Sequence, residues 1–331
     1  MKQKKVAILG VTGAVGQEML KVLEERNFPV SELVALGSVR SAGRKLMFRG
    51  EEIVVREGDK NSFSGADIVL GAVENAHAKV FAPYIRDAGA VFVDNSNAFR
   101  MDKDVPLVVP EINPEDVKLH KGIISSPNCS TTIALVAVNA INRLSHIKSM
   151  VASTYQAVSG AGAGGTKELE NQMHQWVEGK ALENTVFPYQ IAFNLIPQIG
   201  GFDENGYTSE EMKMQNEGRK IMHLPELNVT CTCVRVPVWR SHSISISLIT
   251  EERLDIARVR AAIEHAQGCR LEDDQALKRY PMPLETSDQD LVFVGRIRRD
   301  LINANGIALW CCGDQVRKGA ATNAIQIAEL L

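Results

Sequence analysis

The amino-acid sequence predicts an α/β fold in two parts: an N-terminal doubly wound parallel sheet, and a second α+β domain with a mostly antiparallel sheet. Up to about residue 128, short and wholly apolar runs alternate with helical patterns. Beyond residue 145, longer segments alternate apolar and polar residues, which is typical of strands with one solvated face. A length of 331 residues suits two domains that each bury a core.

We expect a dinucleotide-binding domain over residues 1–128, completed by a C-terminal helix 314–331, and a catalytic and dimerisation domain over 129–313. The 37 basic and 40 acidic residues give a net charge of −3, which favours neither nucleic acid nor an anionic membrane as a partner. The N-terminus enters a strand pattern directly, and the six cysteines lack zinc-site spacing. We therefore expect a cytoplasmic protein without a metal site.

A glycine-rich turn follows the first predicted strand. Lys5 to Leu9 forms an apolar run, Gly10 to Gly16 follows it in a G-x-x-G-x-x-G pattern, and an amphipathic helix extends through Arg26. Glycines at this place permit a tight turn, a close approach of backbone N–H groups to a pyrophosphate, and close packing of helix on sheet. The context indicates a Rossmann-type dinucleotide site, and a purely structural turn is the alternative.

The loop after the second predicted strand, Leu33 to Leu36, bears on the choice of dinucleotide. NAD-selective sites carry an acidic residue near this position, which holds the ribose hydroxyls. This chain instead has Arg40 flanked by Ser38 and Ser41. An arginine among hydroxyls matches a 2′-phosphate, so NADP is favoured over NAD. The alternative is an arginine in a solvated loop.

Three charged side chains allow either a ligand-binding or a solvent-exposed interpretation. Arg100 follows a strand that ends at Val93, where the carboxyl edge of a parallel sheet binds ligands, so it is a candidate anion clamp. Glu210 and Lys213 lie three residues apart on one predicted helix face. Without further context, these two residues are better explained as a surface ion pair.

Cys129 lies between a short apolar strand and a strongly apolar helical run, Ile133 to Leu144. Pro127 ends the strand, and Asn128 is a good N-cap residue. A cysteine at a helix N-terminus meets unpaired N–H groups and a dipole that favour the nucleophilic thiolate. The alternative is a small buried hydrophobic residue, as most free cysteines are.

Two further stretches supply what a cysteine nucleophile requires. Gln156 ends a predicted strand just before a loop of small residues, where it could orient an acyl substrate while Gly160 admits a flat nicotinamide. Arg235 and His242 flank a predicted turn between strands. Arginine suits a carboxylate, and histidine suits acid–base catalysis near neutral pH. A lone histidine is nevertheless more often a structural residue.

Taken together, these stretches resemble the aspartate-β-semialdehyde dehydrogenase family nearly from end to end. The P-N-C-S-T motif around Cys129 and the S-T-Y-Q-A-V-S-G-A-G motif around Gln156 are its specific marks. The resemblance implies that Cys129 attacks an aldehyde, that hydride leaves for NADP to give a thioester, and that phosphate cleaves the thioester to aspartyl phosphate. The reverse direction would serve lysine, diaminopimelate, threonine and methionine biosynthesis.

The same resemblance implies a role for each candidate side chain and a homodimer formed through the second domain. His242 is the implied acid–base catalyst. The implied substrate residues are Gln156 for positioning, Arg235 at the α-carboxylate, Glu210 at the α-ammonium, and Arg100, Asn128 and Lys213 at the phosphate. The fingerprint, the Arg40 loop and the resemblance together place at NADP the residues Gly10, Thr12, Gly13, Ala14, Val15, Gly16, Ser38, Arg40, Ser41, Ser159, Gly160 and Gln315.

Two alternatives remain open on the sequence. A related acyl-phosphate reductase of the N-acetylglutamyl-phosphate type would share the cysteine chemistry. Its substrate has no free ammonium, however, and would leave Glu210 without a role. A catalytically inactive paralogue that only binds ligands is the other alternative. The presence of Cys129, Gln156, Arg235 and His242 together argues against it.

Overall fold

The computed structural model describes residues 2–331, which divide into two compact units. Among these residues, the first unit is 2–128 with Ala320–Leu331, and the second is Cys129–Gly319. By this division the chain re-enters the first unit at Ala320. The domain bounds 1–128, 129–313 and 314–331 stay predictions. The predicted fold class is confirmed, with a parallel sheet in the first unit and a mixed sheet in the second.

Fourteen strands lie in the described residues. Those of the first unit are β1 (Lys4–Leu9), β2 (Val30–Gly37), β3 (Lys45–Phe48), β4 (Glu51–Val54), β5 (Arg56–Glu57), β6 (Ile68–Gly71), β7 (Val91–Asp94) and β8 (Ile123–Ser125). Those of the second are β9 (Ile147–Gln156), β10 (Asn228–Arg235), β11 (His242–Thr250), β12 (Cys269–Leu271), β13 (Val292–Arg299) and β14 (Gly306–Gly313).

Eight α-helices accompany the strands in the described part of the chain. They are α1 (Ala14–Glu25), α2 (Asn75–Asp87), α3 (Cys129–Asn142), α4 (Gly162–Val177), α5 (Ser209–Met222), α6 (Ile256–Glu264), α7 (Pro283–Thr286) and α8 (Thr322–Glu329). Short 3-10 helices span Pro114–Leu119 and Val158–Ala161, and a π-helical turn, Arg317–Ala321, precedes α8. No helix within residues 2–331 has both the length and the apolar character needed to cross a bilayer.

The first unit is built on a six-stranded sheet of order β5-β2-β1-β6-β7-β8, in which every pairing is parallel. Both of its faces are buried, which explains the unbroken apolar strands. Val6 and Ile8 share one core cluster with residues of α1 and α8, while Ala7 and Leu9 share another with residues of α2. The order reverses between β1 and β6, and ligands bind at the carboxyl ends of strands at such a point.

The second unit contains a sheet of order β10-β9-β11-β14-β13-β12. Its inner pairings are antiparallel, while β10 on β9 and β12 on β13 are parallel. Residues 130–141 of α3 are all buried, so this helix belongs to the core and its first residue, Cys129, lies at the edge of that core. The β9–β10 register sets Gln156 opposite Arg235 and thereby pairs two of the predicted substrate residues.

Helix α5 begins with a capping box. The Thr208 hydroxyl accepts the Glu211 N–H, and the Glu211 carboxylate accepts the Thr208 N–H at 2.7 Å. Glu211 also accepts the N–H of Cys233 at 2.9 Å, which ties the helix to β10. This start of the helix determines where Glu210 and Lys213 lie.

Replacing Thr208 should therefore weaken the unit measurably. We expect Thr208→Ala to lower the free energy of unfolding by about 1 kcal/mol, because the Glu211 N–H loses its acceptor. Urea unfolding followed by circular dichroism measures the change. Thr232→Ala, at an exposed position of β10, is the control and should stay within about 0.5 kcal/mol of the unsubstituted protein. Equal losses in the two variants would contradict the cap.

Candidate active site

The glycine turn after β1 has the geometry of a phosphate cradle. Gly10 has a φ of +89°, and a Cβ there would lie 2.3 Å from the Ala72 carbonyl oxygen. A Cβ on Gly16 would lie 2.3 Å from the Gly10 oxygen, so helix and turn pack in contact. Helix α1 begins after Gly13 with no side-chain cap and no acidic residue in its first turn. Its leading N–H groups are thus available to an anion.

The predicted cofactor residues around this turn differ in exposure. Gly13 and Ala14 are exposed and Thr12 is half-buried, whereas the Val15 side chain packs against the core. Asn95, which the sequence analysis did not single out, donates to the Gly71 carbonyl at 2.9 Å. Its buried Oδ1 has no partner among residues 2–331, as expected of a group that awaits a ligand. These residues fit a dinucleotide.

The loop after β2 presents its arginine to solvent. Ser38 and Arg40 are exposed, and no acidic side chain of residues 2–331 forms an ion pair with Arg40. Ser41 is buried instead, and its hydroxyl donates to the Ser38 carbonyl at 3.0 Å, so it shapes the turn. Of the three residues predicted to meet the 2′-phosphate, Ser38 and Arg40 are the accessible ones.

Arg100 lies at the carboxyl edge of the first sheet, as predicted. Its Nε donates to the Ser126 carbonyl at 3.0 Å and its Nη2 to the Asn95 carbonyl at 2.7 Å. These bonds fix a buried guanidinium beside the ends of β7 and β8, and they exclude the alternative of an exposed loop cation. Asn128 is also buried, and it is the last residue of the first unit before the chain enters the second.

The second unit brings Cys129 and His242 together. Cys129 is the first residue of α3, and its Sγ lies 3.5 Å from Nε2 of His242, the first residue of β11. A Cβ on Gly319 would come within 2.7 Å of the Cys129 Cβ, so a larger residue at position 319 would collide with Cys129. The thiol is partly exposed, unlike the other five cysteines, which are buried. This geometry favours a nucleophile over a core residue.

The imidazole of His242 is held in one protonation state. Burial and, to a smaller extent, the charge of Arg235 lower the pKa of His242 to about 3, although Glu210 acts in the opposite direction. The Ala157 N–H donates to Nδ1 at 3.1 Å. A neutral ring that accepts at Nδ1 carries its proton on Nε2. His242 therefore points an N–H at the Cys129 sulfur.

The turn that carries His242 has unusual backbone geometry. Ser241 has a φ of +74°, in the left-handed region that disfavours residues with a Cβ. Its N–H donates to Gln315 Oε1 at 2.8 Å, and its hydroxyl lies 2.6 Å from that of Thr286. Gln315 also donates through Nε2 to the Ser159 hydroxyl, so both ends of this predicted cofactor residue contact the protein.

Gln156, Glu210 and Lys213 form a chain of polar contacts. Gln156 Nε2 donates to Glu210 Oε1 at 3.2 Å, and Lys213 Nζ donates to Glu210 Oε2 at 2.8 Å. The Thr154 hydroxyl donates to Gln156 Oε1 at 3.0 Å, which fixes the orientation of that amide. Glu210 is buried, so the interpretation of this pair as a surface ion pair is wrong.

Arg235 is a buried cation next to the catalytic pair. Its Nη1 donates to the Ala157 carbonyl at 2.7 Å. Burial lowers the pKa of Arg235, while the neighbouring Cys129 and Glu210 raise it. A Cβ on Gly160 would lie 2.7 Å from Arg235 Nη1 and 3.1 Å from His242 Cε1, so this glycine is needed for close packing against both side chains.

Sequence reasoning missed the backbone of Ala157, the strained Ser241 and Asn95. Ala157 lies inside the stretch from Thr154 to Gly164 that was singled out, but a main-chain donor leaves no side-chain signature. Asn95 follows a predicted strand end, which could have marked it. Within residues 2–331, no three or more His, Cys, Asp or Glu side chains are grouped to hold a metal ion.

Comparison with known families matches both parts of the chain. Residues 5–120 match the family model described as semialdehyde dehydrogenase, NAD binding domain. Residues 139–318 match the model described as semialdehyde dehydrogenase, dimerisation domain.

Similar proteins cover almost the whole length. The aspartate-semialdehyde dehydrogenase of Aquifex aeolicus (strain VF5) is 51% identical, over 99% of this chain and 97% of the relative. That of Bacillus subtilis (strain 168) is 46% identical, over 98% and 96%. A Vibrio cholerae structure of aspartate semialdehyde dehydrogenase II complexed with ASA superimposes with a TM-score of 0.96 at 43% identity, covering 100% of this chain and 98% of that one. A Candida albicans aspartate semialdehyde dehydrogenase with NADP gives 0.78 at 26% identity, over 100% and 98%.

The low pKa of His242 predicts a pH dependence of stability. The unfolded chain binds a proton at this ring below about pH 6.5, whereas the folded protein does not until about pH 3. Stability should therefore fall as the pH drops from 7.5 to 5, by about 2 kcal/mol from this residue alone. Urea unfolding at both pH values should show that His242→Gln removes this loss.

His265→Gln is the matched control for that experiment, since His265 is exposed. The control should lose as much stability between the two pH values as the unsubstituted protein does. A His242→Gln variant with the same pH dependence as the control would show that His242 is not held neutral.

Proposed function

This chain belongs to the aspartate-semialdehyde dehydrogenase family, and we propose that it converts aspartyl phosphate and aspartate semialdehyde into each other through a thioester on Cys129. The enzyme is an NADP-dependent, phosphorylating aldehyde dehydrogenase of amino-acid biosynthesis. The observation that supports the Cys129 mechanism best is the 3.5 Å contact between its sulfur and His242 Nε2 at the start of α3.

Cys129 is the proposed nucleophile. The start of α3 and the Nε2–H of His242 both stabilise negative charge on its sulfur. Attack on the aldehyde carbon forms a C–S bond and moves the carbonyl electrons onto oxygen. The same Nε2–H can then donate a hydrogen bond to that oxygen. The acid–base role predicted for His242 requires a second proton on the ring, at the expense of the Ala157 contact.

Loss of hydride from this adduct leaves the Cys129 thioester, and phosphate attack on the thioester carbon releases the acyl phosphate and the thiolate. NADP, when bound, supplies the hydride acceptor. We propose that the N–H groups of Thr12 to Val15 hold its pyrophosphate, and that Ser38 and Arg40 hold its 2′-phosphate. The uncapped start of α1 and the exposed Arg40 support these roles.

The two ends of the substrate need opposite charges. We propose that Arg235 binds the α-carboxylate, since its fork is buried beside Cys129 and forms one described hydrogen bond, through Nη1. Glu210 would receive the α-ammonium, and Gln156, which bonds to Glu210, would position the acyl group. The roles of Arg100, Asn128 and Lys213 at the phosphate, and of Ser41, Ser159, Gly160 and Gln315 at NADP, stay predictions.

We also propose a homodimer formed through the second unit, whose family model describes a dimerisation domain. A cytoplasmic location agrees with six cysteines that are all free. The N-acetylglutamyl-phosphate alternative is disfavoured, because its acylated nitrogen carries no charge for the buried Glu210 to meet.

The reaction can be tested directly. With NADP and phosphate, we expect rapid oxidation of aspartate semialdehyde and little oxidation of N-acetylglutamate semialdehyde, as followed by NADPH absorbance. Cys129→Ala should lower kcat by about 10⁴-fold, because the covalent route is lost. Without phosphate, mass spectrometry of the unsubstituted protein should find an acyl group on Cys129. A preference for the acetylated substrate, or full activity of Cys129→Ala, would reject the proposal.

Cofactor choice provides a separate test. Arg40→Ala should raise the KM for NADP by about tenfold and leave the KM for NAD nearly unchanged, because only NADP carries the 2′-phosphate. Arg44→Ala removes another exposed arginine of the same loop region and is the matched control. Equal losses with NADP and NAD would remove the role assigned to Arg40.

A further inference from the structure

The irregular segment of residues 183–196 lies against the side chains proposed to bind substrate. The backbone of Ile196 pairs with that of Arg235 through hydrogen bonds of 3.0 and 2.8 Å. Farther back in the segment, the Phe187 ring lies under the Arg235 guanidinium, whose Cζ is 5.8 Å from the ring centroid. Phe187 also packs against a buried apolar cluster that contains Val158 and Ile196.

The position of Phe187 is set by a carboxylate on α4. Glu168 is only 2% exposed, and it accepts hydrogen bonds from the successive N–H groups of Thr185, Val186 and Phe187, as well as from the Thr185 hydroxyl at 2.8 Å. Burial alone would raise the pKa of Glu168, but these donors outweigh it and hold the pKa below its usual value. Glu168 is therefore ionised at neutral pH.

Helix α4 also packs directly against the ring. A Cβ on Gly165 would lie 3.1 Å from Phe187 Cζ. One turn after Glu168, Gln172 accepts the N–H groups of Ile191 and Ala192 at 3.0 and 2.9 Å. The segment is thus fixed to α4 at two points, with Phe187 held between the helix and Arg235.

We propose that Phe187 positions the guanidinium of Arg235 for the substrate carboxylate, and that Glu168 holds Phe187 in place to do so. An aromatic face stabilises a desolvated guanidinium and makes no hydrogen bond with it. The contact with Phe187 thus uses none of the N–H groups of Arg235, which leaves those that do not bond to Ala157 available to a ligand. This inference rests on the proposed role of Arg235. Phe187 and Glu168 are positioning residues, because neither is assigned a contact with the substrate.

The test separates positioning from general structure. Phe187→Leu keeps an apolar side chain but removes the ring face. We expect the KM for aspartate semialdehyde to rise about three- to tenfold, with kcat within about twofold and the KM for NADP unchanged. Phe187→Tyr keeps the ring and should restore a KM close to that of the unsubstituted enzyme. An unchanged KM in Phe187→Leu, or a fall in kcat with every KM altered, would overturn the inference.

Glu168→Gln tests the second half of the proposal. The amide places an NH₂ group against backbone donors, so the segment should loosen and the KM for aspartate semialdehyde should rise as in Phe187→Leu. Glu170→Gln, on the same helix but in an exposed ion pair with Lys167, is the control and should leave all constants unchanged. If Glu168→Gln does not fold, the Phe187 variants still decide the role of the ring.

A double-mutant cycle shows whether Phe187 acts through Arg235. In an Arg235→Lys background, the added effect of Phe187→Leu on KM should shrink to less than about twofold, since the planar fork is already lost. Full additivity would overturn the inference. If the unsubstituted enzyme did not oxidise aspartate semialdehyde at all, the proposed function would fail and this inference with it. Activity with an unchanged KM in Phe187→Leu rejects this inference alone.

Discussion

The peptide backbone at Ala157 holds one proposed catalytic side chain and one proposed substrate-binding side chain at once. Its N–H donates to His242 Nδ1 at 3.1 Å, and its carbonyl accepts Arg235 Nη1 at 2.7 Å. The first bond selects the ring form that presents Nε2–H to Cys129, and the second stabilises a cation that burial disfavours. A main-chain group in a packed core moves less than a side chain, so Ala157 fixes the positions of His242 and Arg235 relative to each other.

The surrounding structure supports this arrangement by holding buried charges in place with hydrogen bonds. Glu168 accepts hydrogen bonds from the segment of residues 183–196, and Glu211 joins the start of α5 to β10. Glu210 is bonded to both Gln156 and Lys213. Hydrogen bonds to these three buried carboxylates offset part of the cost of removing them from water, and they join α4 and α5 to neighbouring segments. In the second unit, polar contacts thus position the side chains of the site, while the buried helix α3 contributes to the core.

Much of this arrangement could be predicted from sequence, because its signals are local. The first strand, the glycine turn and α1 follow one another in a single stretch, and the Cys129 loop borders a helix whose apolar pattern shows its burial. Strand β13 was missed, since Gly295 and three arginines interrupt its apolar pattern. The burial of Glu210, the support of His242 by Ala157 and the contact of Phe187 with Arg235 depend on long-range packing. No spacing rule encodes such contacts.

The left-handed backbone at Ser241 has a consequence for how this protein responds to selection. A residue with a Cβ in that conformation costs about 1 kcal/mol or more, which the bonds to Gln315 and Thr286 offset. Ser241→Gly would relieve this strain, since glycine adopts the φ freely, but it would also remove the hydroxyl that contacts Thr286. The backbone N–H of residue 241 would still donate to Gln315, so one of the two contacts that hold the turn before His242 would remain. Evolution at this position is thus constrained by the turn before His242 and by backbone strain together.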